Sequence, residues 1–98
     1  MNKSITAIEL KEKLKESPNL FLLDVREEWE RTAFNIGGKH IPLTDIISQS
    51  SNIPKDVQVV VYCKKGIRSQ IAIQRLEDKF GFTNLLNLTG GMEEWQKI

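Results

Sequence analysis

The stretch VVVYCKKGIRS, residues 59–69, decides the fold, because it joins a run of β-branched residues to a helical pattern through a turn at Gly66. A short apolar run without polar alternation is typical of a strand whose two faces are both covered. Three short apolar runs predict buried parallel strands at Leu20 to Val25, Val57 to Tyr62 and Asn84 to Leu88, and the first two lack clean polar alternation. Ile5 and the segment from His40 to Leu43 predict short edge strands.

Helical patterns lie between these runs. Thr6 and Glu9 have the spacing of a capping box, and the helix they open would bury Ile8, Leu10 and Leu14. A second helix is predicted from Ser69 to Phe80, with Gly81 as its C-cap. Its apolar face comprises Ala72, Ile73, Leu76 and Phe80.

The last segment, GGMEEWQKI, predicts a glycine turn and a final helix anchored by Met92 and Trp95. Strands that alternate with helices in a chain of 98 residues predict one small α/β domain over residues 1–98. We expect a mainly parallel sheet with helices on both faces.

Composition excludes several classes of function. Fourteen basic and thirteen acidic side chains leave a net charge of +1, so nothing global points to a nucleic acid or a membrane as partner. One cysteine cannot form an internal disulfide, and it supplies too few ligands for a cysteine-based metal site. A free thiol, with no apolar leader segment at the N-terminus, predicts a cytoplasmic protein.

Three polar or glycine features follow predicted strands. Asp24 ends the first long strand, Cys63 follows the central one, and Thr89, Gly90 and Gly91 follow the last. Ligands of open α/β sheets bind beyond the carboxyl ends of the strands. We therefore expect Cys63 at the rim of a crevice.

The turn after Cys63 has the chemistry of an anion site. Gly66 permits the positive φ of a tight turn, which can point successive N–H groups inward at a helix N-terminus. Lys64, Lys65 and Arg68 add positive charge. These features favour a nucleophilic thiolate over the alternative of a small buried apolar cysteine.

Four motifs in this order resemble the rhodanese family of sulfurtransferases. They are LLDVREEWE at 22–30, IGGKHIPL at 36–43, VVVYCKKGIRS at 59–69 and LTGGMEEW at 88–95. The resemblance implies a rhodanese-like fold with a five-stranded parallel core and Cys63 as a persulfide carrier. It also implies a substrate-binding loop made of Lys64, Lys65, Gly66, Ile67, Arg68 and Ser69. One departure is Asn35, since many members have histidine in that turn.

The implied mechanism uses small sulfur compounds and needs no metal or organic cofactor. Cys63 would take the outer sulfur of thiosulfate or another sulfane donor. Loop N–H groups would then stabilise the negative charge on the terminal sulfur of the Cys63 persulfide. A thiol, cyanide or an acceptor protein would then remove the sulfur.

Residues outside the loop have simpler interpretations. Asp24 is expected to pair with Arg68 and orient the loop, a structural role that the resemblance also implies. Arg26, Glu27 and Glu30 are interpreted as a solvated helix start or a structural ion pair, and His40 as structural or surface. Trp29 and Trp95 are interpreted as core residues.

Three alternative functions stay open. A cysteine phosphatase or arsenate reductase also uses a strand, an anion loop and an arginine, but its loop has five residues between cysteine and arginine, against four here. The shorter loop favours a single sulfur atom over a phosphoryl group. A non-catalytic interaction module and a dedicated persulfide relay are the other two.

Overall fold

A computed structural model describes residues 3–98, in which strands and helices alternate along the chain. The sheet contains five strands: β1 Ser4–Ile5, β2 Phe21–Asp24, β3 Lys39–His40, β4 Val59–Tyr62 and β5 Leu85–Leu88. Four helices complete the fold: α1 Ala7–Glu16, α2 Glu28–Ala33, α3 Ile67–Phe80 and α4 Gly91–Trp95. Within residues 3–98, no helix has the length and apolar content that crossing a membrane requires.

Every strand pairing is parallel, and the order across the sheet is β1-β5-β4-β2-β3. The predicted α/β fold with a parallel five-stranded sheet is confirmed, and β1 and β3 are the edges. The second edge strand ends earlier than expected. Ile41 N–H and Leu43 N–H still donate to the carbonyls of Asp24 and Val25 at 2.9 and 3.1 Å, but Leu43 begins a 3-10 turn, Leu43–Asp45.

Strand β4 is buried on both faces, which explains its unbroken apolar sequence. Val59 and Val61 pack in a cluster with side chains of α3, whereas Val60 and Tyr62 pack on the opposite face of the sheet with side chains of α1 and α4. The strand is shorter than predicted, since Val57 lies before it and is 48% exposed. The central strand thus separates two apolar layers.

Helix α1 begins at its predicted capping box, but one residue of its predicted apolar stripe is exposed. The capping box is present, with Thr6 Oγ1 accepting from Glu9 N–H at 3.2 Å and Glu9 Oε1 accepting from Thr6 N–H at 2.9 Å. Leu10 is buried, whereas Ile8 is 64% exposed. At about 100° per residue, Ile8 lies nearly opposite Leu10 on the helix.

The other two helix predictions hold with small changes. Helix α3 begins at Ile67, two residues before the predicted Ser69, and Gly81 ends it in the left-handed conformation. In α4, Met92 is buried and Trp95 packs partly buried against the same cluster. The interpretation of Trp29 as core is wrong, since its side chain is 73% exposed.

We predict that Gly91→Ala destabilises the protein more than Gly81→Ala, although both glycines have positive φ. A Cβ at Gly91 would lie 2.3 Å from the Cys63 carbonyl oxygen, whereas one at Gly81 would meet nothing within 4 Å. Overpacking should cost Gly91→Ala about 2 kcal/mol beyond the backbone strain that both variants share. Urea unfolding measures the difference. Equal losses would contradict the tight packing of α4 on the Cys63 turn.

Candidate active site

Cys63 directly follows β4, and the turn after it surrounds its sulfur with donors. The chain reverses at Gly66, whose φ is +93°, and enters α3 at Ile67. The Sγ atom accepts from Gly66 N–H at 3.1 Å and from Ser69 N–H at 3.4 Å. Ser69 Oγ lies 3.3 Å from the same sulfur. The turn therefore supplies polar hydrogens to Sγ from the loop and from the first turn of α3.

Cys63 lies at the end of β4 and lines a cavity there, as predicted, but its side chain is buried. The residue has no exposed surface. Helix α4 packs over the turn, and its N–H groups at Met92 and Glu93 donate to the carbonyls of Cys63 and Lys64 at 2.9 and 3.0 Å. These contacts cover the backbone while the loop donors cover the sulfur.

A cavity of about 240 Å³ opens at this turn, lined by Cys63, Lys64, Lys65, Ile67 and Arg68. Lys64 and Lys65 are exposed. Neither forms an ion pair with any residue from 3 to 98. Their charges are therefore available to an approaching anion.

Arg68 is already occupied by a carboxylate. Its Nη1 and Nη2 atoms donate to the two oxygens of Glu30 at 2.7 and 2.9 Å, a bidentate pair that links α3 to α2. The hydrogen bonds from Arg68 lower the pKa of Glu30 to about 2, and the same contact raises the pKa of Arg68. Of the interpretations for Glu30, the structural ion pair is the one observed.

The predicted pairing of Asp24 with Arg68 is wrong. Asp24 is fully buried and accepts from Nε and Nη2 of Arg26, both at 2.9 Å, with Arg31 at 3.3 Å. A buried carboxylate needs the nearest cation, and Arg26 lies only two residues along the chain. Asp24 thus secures the segment that carries α2, from which Glu30 reaches Arg68.

Two other residues of that segment have local structural roles. His40 Nε2 hydrogen-bonds to the Arg26 carbonyl at 2.7 Å, in keeping with the structural interpretation. Asn35 donates to the Arg31 carbonyl at 2.9 Å and accepts from Gly37 N–H at 2.8 Å. Asn35 therefore closes the turn after α2 through its own side chain.

Asn87 is a site neighbour that the sequence analysis missed. It lies in β5, is 8% exposed, and accepts a hydrogen bond from the Ser69 hydroxyl. The available signal was a polar residue inside the apolar run NLLNL. Such a residue in a buried strand must find a polar partner.

Comparison with known proteins gives consistent results. The family model of the rhodanese-like domain matches residues 6–98. The putative sulfurtransferase YtwF of Bacillus subtilis is 35% identical over 95 residues, covering 96% of this chain and 90% of that protein. A crystal structure of a rhodanese-like domain protein from Staphylococcus aureus has a TM-score of 0.86 and 34% identity, covering 95% of this chain and 90% of that chain.

A longer relative contains a similar segment. The probable adenylyltransferase/sulfurtransferase MoeZ of Mycobacterium tuberculosis is 33% identical over 97 residues, which are 96% of this chain. This chain spans 24% of the length of MoeZ. The likeness to MoeZ therefore concerns one part of that protein.

We predict that Glu30→Gln lowers the free energy of unfolding by about 2 kcal/mol at pH 7, because it leaves Arg68 without its charged partner. The folded pKa of Glu30, about 2, lies below the ordinary value of 4.5, so the pair stabilises the fold fully above pH 4.5. That contribution decreases as pH falls from 4.5 towards 2. The difference in free energy of unfolding between the wild type and Glu30→Gln should therefore become smaller over this pH range, as measured by urea unfolding.

Glu12→Gln is the matched control, since Glu12 pairs with Lys15 while both side chains are about two-thirds exposed. This variant should change stability little at any of these pH values. A gap for Glu30→Gln that stays constant down to pH 2.5 would contradict the stabilising role of the pair.

Proposed function

Since the chain belongs to the rhodanese-like domain family, whose relatives support sulfurtransferase activity in general, we propose that Cys63 carries sulfur as a persulfide between a donor and an acceptor. The observation that carries this proposal is the set of hydrogen-bond donors around Sγ. Gly66 N–H and Ser69 N–H both point at the sulfur. Such donors stabilise negative charge on sulfur in the way an oxyanion hole stabilises oxygen.

In the first step the Cys63 thiolate attacks the outer sulfur of a sulfane donor such as thiosulfate. A bond forms between Sγ and that sulfur while the bond to the sulfite group breaks, and sulfite leaves with the electron pair. The product is Cys63–S–S⁻. The loop N–H groups stabilise the anion both before and after the transfer.

In the second step an acceptor takes the outer sulfur. A thiolate or cyanide attacks the terminal sulfur, the S–S bond breaks, and the electron pair returns to Sγ as thiolate. The products are a new persulfide or thiocyanate. The chemistry uses one thiol that alternates between two states, which suits a reducing compartment such as the cytoplasm.

The charges around the loop favour a small sulfur donor over a phosphoryl substrate. The charge of Arg68 is paired with Glu30 through two of its five N–H donors, so less of that charge is available to balance equatorial phosphate oxygens. The unpaired lysines at 64 and 65 are the cations that an incoming anion meets. We therefore assign donor attraction to Lys64 and Lys65 and a loop-positioning role to Arg68.

The cavity limits what can reach the sulfur. Its volume of about 240 Å³ accommodates thiosulfate, or the end of a persulfide side chain presented by another protein. Both a free sulfurtransferase and a persulfide relay use the same Cys63 chemistry. A module that binds partners without catalysis would not need Cys63, so uptake of sulfur on Cys63 distinguishes the two functions.

Brief exposure to thiosulfate should add about 32 Da to the protein, the mass of one sulfur atom on a reactive thiol. Cyanide or dithiothreitol should remove the added mass. Cys63→Ser should gain no mass and form no thiocyanate above the rate without protein, although its fold is retained. Intact-mass spectrometry and a thiocyanate assay measure the two results. Wild-type thiocyanate formation by Cys63→Ser would contradict the mechanism.

The double variant Lys64→Ala, Lys65→Ala should turn over thiosulfate more slowly at low ionic strength, because the anion loses its electrostatic attraction to the loop. The deficit should shrink as salt screens the wild-type charges. Steady-state thiocyanate formation across a salt series measures both effects.

Lys13→Ala with Lys15→Ala is the matched control, since it removes the same charge from α1 instead of the loop. This control should keep the wild-type rate at each salt concentration. Equal turnover by the loop variant and the wild type at low salt would show that the backbone donors suffice.

A further inference from the structure

Asn87 occupies a position on β5 where the fold calls for an apolar side chain. Leu85, two residues earlier on the same strand face, packs in the apolar cluster that contains residues of α3. Asn87 points to that side as well and is only 8% exposed. A buried amide lowers stability unless its hydrogen bonds are made, so its partners give the reason for its presence.

The amide makes three hydrogen bonds. Nδ2 donates to the Gly66 carbonyl at 3.1 Å and to Gln70 Oε1 at 3.0 Å, and Oδ1 accepts from the Ser69 hydroxyl. A backbone carbonyl can only accept, so the contact with Gly66 determines which end of the amide carries the donors. Oδ1 is therefore left facing Ser69.

All three partners belong to the Cys63 turn or to the first turn of α3. Two of them, Gly66 and Ser69, also provide the groups that contact Sγ. The donors to Sγ are the N–H groups of Gly66 and Ser69, whereas Asn87 is bonded to the Gly66 carbonyl and to the Ser69 hydroxyl, whose hydrogen it accepts. Asn87 thus lies behind the two residues that carry the donors. Asn87 lies opposite Val61 of β4 in the sheet, so its backbone belongs to the rigid part of the fold.

We propose that Asn87 is a positioning residue for sulfur transfer, holding Gly66 and Ser69 so that their donors stay directed at Cys63 Sγ. The proposal rests on the proposed function for its meaning in catalysis, but it concerns the reactivity of the thiol itself. Donors held in place need no reorganisation when charge develops on sulfur, whereas mobile donors lose part of that advantage.

The first test measures how fast iodoacetamide alkylates Cys63 at a fixed pH near neutrality. The sulfur displaces iodide from this small neutral reagent, so the rate reports thiol reactivity without any sulfur donor. Asn87→Ala should slow the reaction about tenfold, the kinetic equivalent of losing about one hydrogen bond's net contribution. An unchanged rate would overturn the proposal.

Asn84→Ala is the control for loss of a partly buried amide. Asn84 precedes the same strand, and its Nδ2 donates to the carbonyls of Pro54 and Val57 at 2.8 and 2.6 Å. Both variants lose side-chain bonds to backbone carbonyls, and urea unfolding shows how much stability each loses. Asn84→Ala should keep the wild-type alkylation rate. Equal slowing of both variants would mean that stability alone determines the rate, and would overturn the proposal.

A double-mutant cycle with Ser69→Ala tests whether Asn87 acts through its neighbour. The alkylation deficit of Asn87→Ala should be smaller in the Ser69→Ala background than in the wild type, because one of the two routes to sulfur is already absent. If the double variant is slowed by the product of the two single-variant factors, the two residues act independently, which would overturn the proposed route through Ser69.

If Asn87→Ala does not fold, Asn87→Asp keeps the shape and the acceptor but removes both donors. Wild-type alkylation by Asn87→Asp would overturn the anchoring of Gly66.

Sulfur loading separates this inference from the proposed function. With thiosulfate, Asn87→Ala should lower kcat more than it raises KM, because the donors act on the charge that develops at sulfur. If the wild type takes up no sulfur but alkylation still distinguishes Asn87→Ala from Asn84→Ala, the proposed function fails and the positioning role stands. If the wild type is loaded and Asn87→Ala matches it in kcat and KM, the positioning role fails alone.

Discussion

The backbone carbonyls at the end of β4 lie where water does not reach, so each needs a partner from another part of the chain. The Tyr62 carbonyl accepts from Val25 N–H at 3.1 Å, and the Cys63 carbonyl accepts from Met92 N–H at 2.9 Å. These bonds join the segment after β2 and helix α4 to the end of the central strand. The turn at Cys63 has its shape because these connections meet there, and the donors around sulfur depend on that shape.

Charge pairing decides which cations remain for a ligand. Asp24 and Glu30 are the buried carboxylates of this region, and each is neutralised by arginine side chains. Leaving either acid unpaired would be costly, so the arginines are committed to the fold. Lys64 and Lys65 are exposed and unpaired among the described residues. The positive field at the cavity therefore comes from side chains that folding does not require.

Local signals predicted the elements and the turn well. The capping box of Thr6 and the glycine that ends α3 depend on neighbouring residues alone, and both are present. The strands, too, were placed by short apolar runs. Predictions of burial were weaker for single residues: Trp29 and Ile8 are exposed because their helices present other faces to the sheet. Which face of a helix is buried depends on how the helix packs on the sheet, and neighbouring residues in the sequence do not determine that.

The amino-acid sequence by itself determined the alternation of strands and helices, the place of Cys63 after the central strand, and the turn at Gly66. These features follow from periodicity and backbone preference over a few residues. The tertiary structure alone decided the partner of Arg68, 38 residues away at Glu30, and the burial of Cys63 beneath its donors. Coulomb energy and desolvation depend on distance and burial in space, and several acids were equally available to that arginine along the chain.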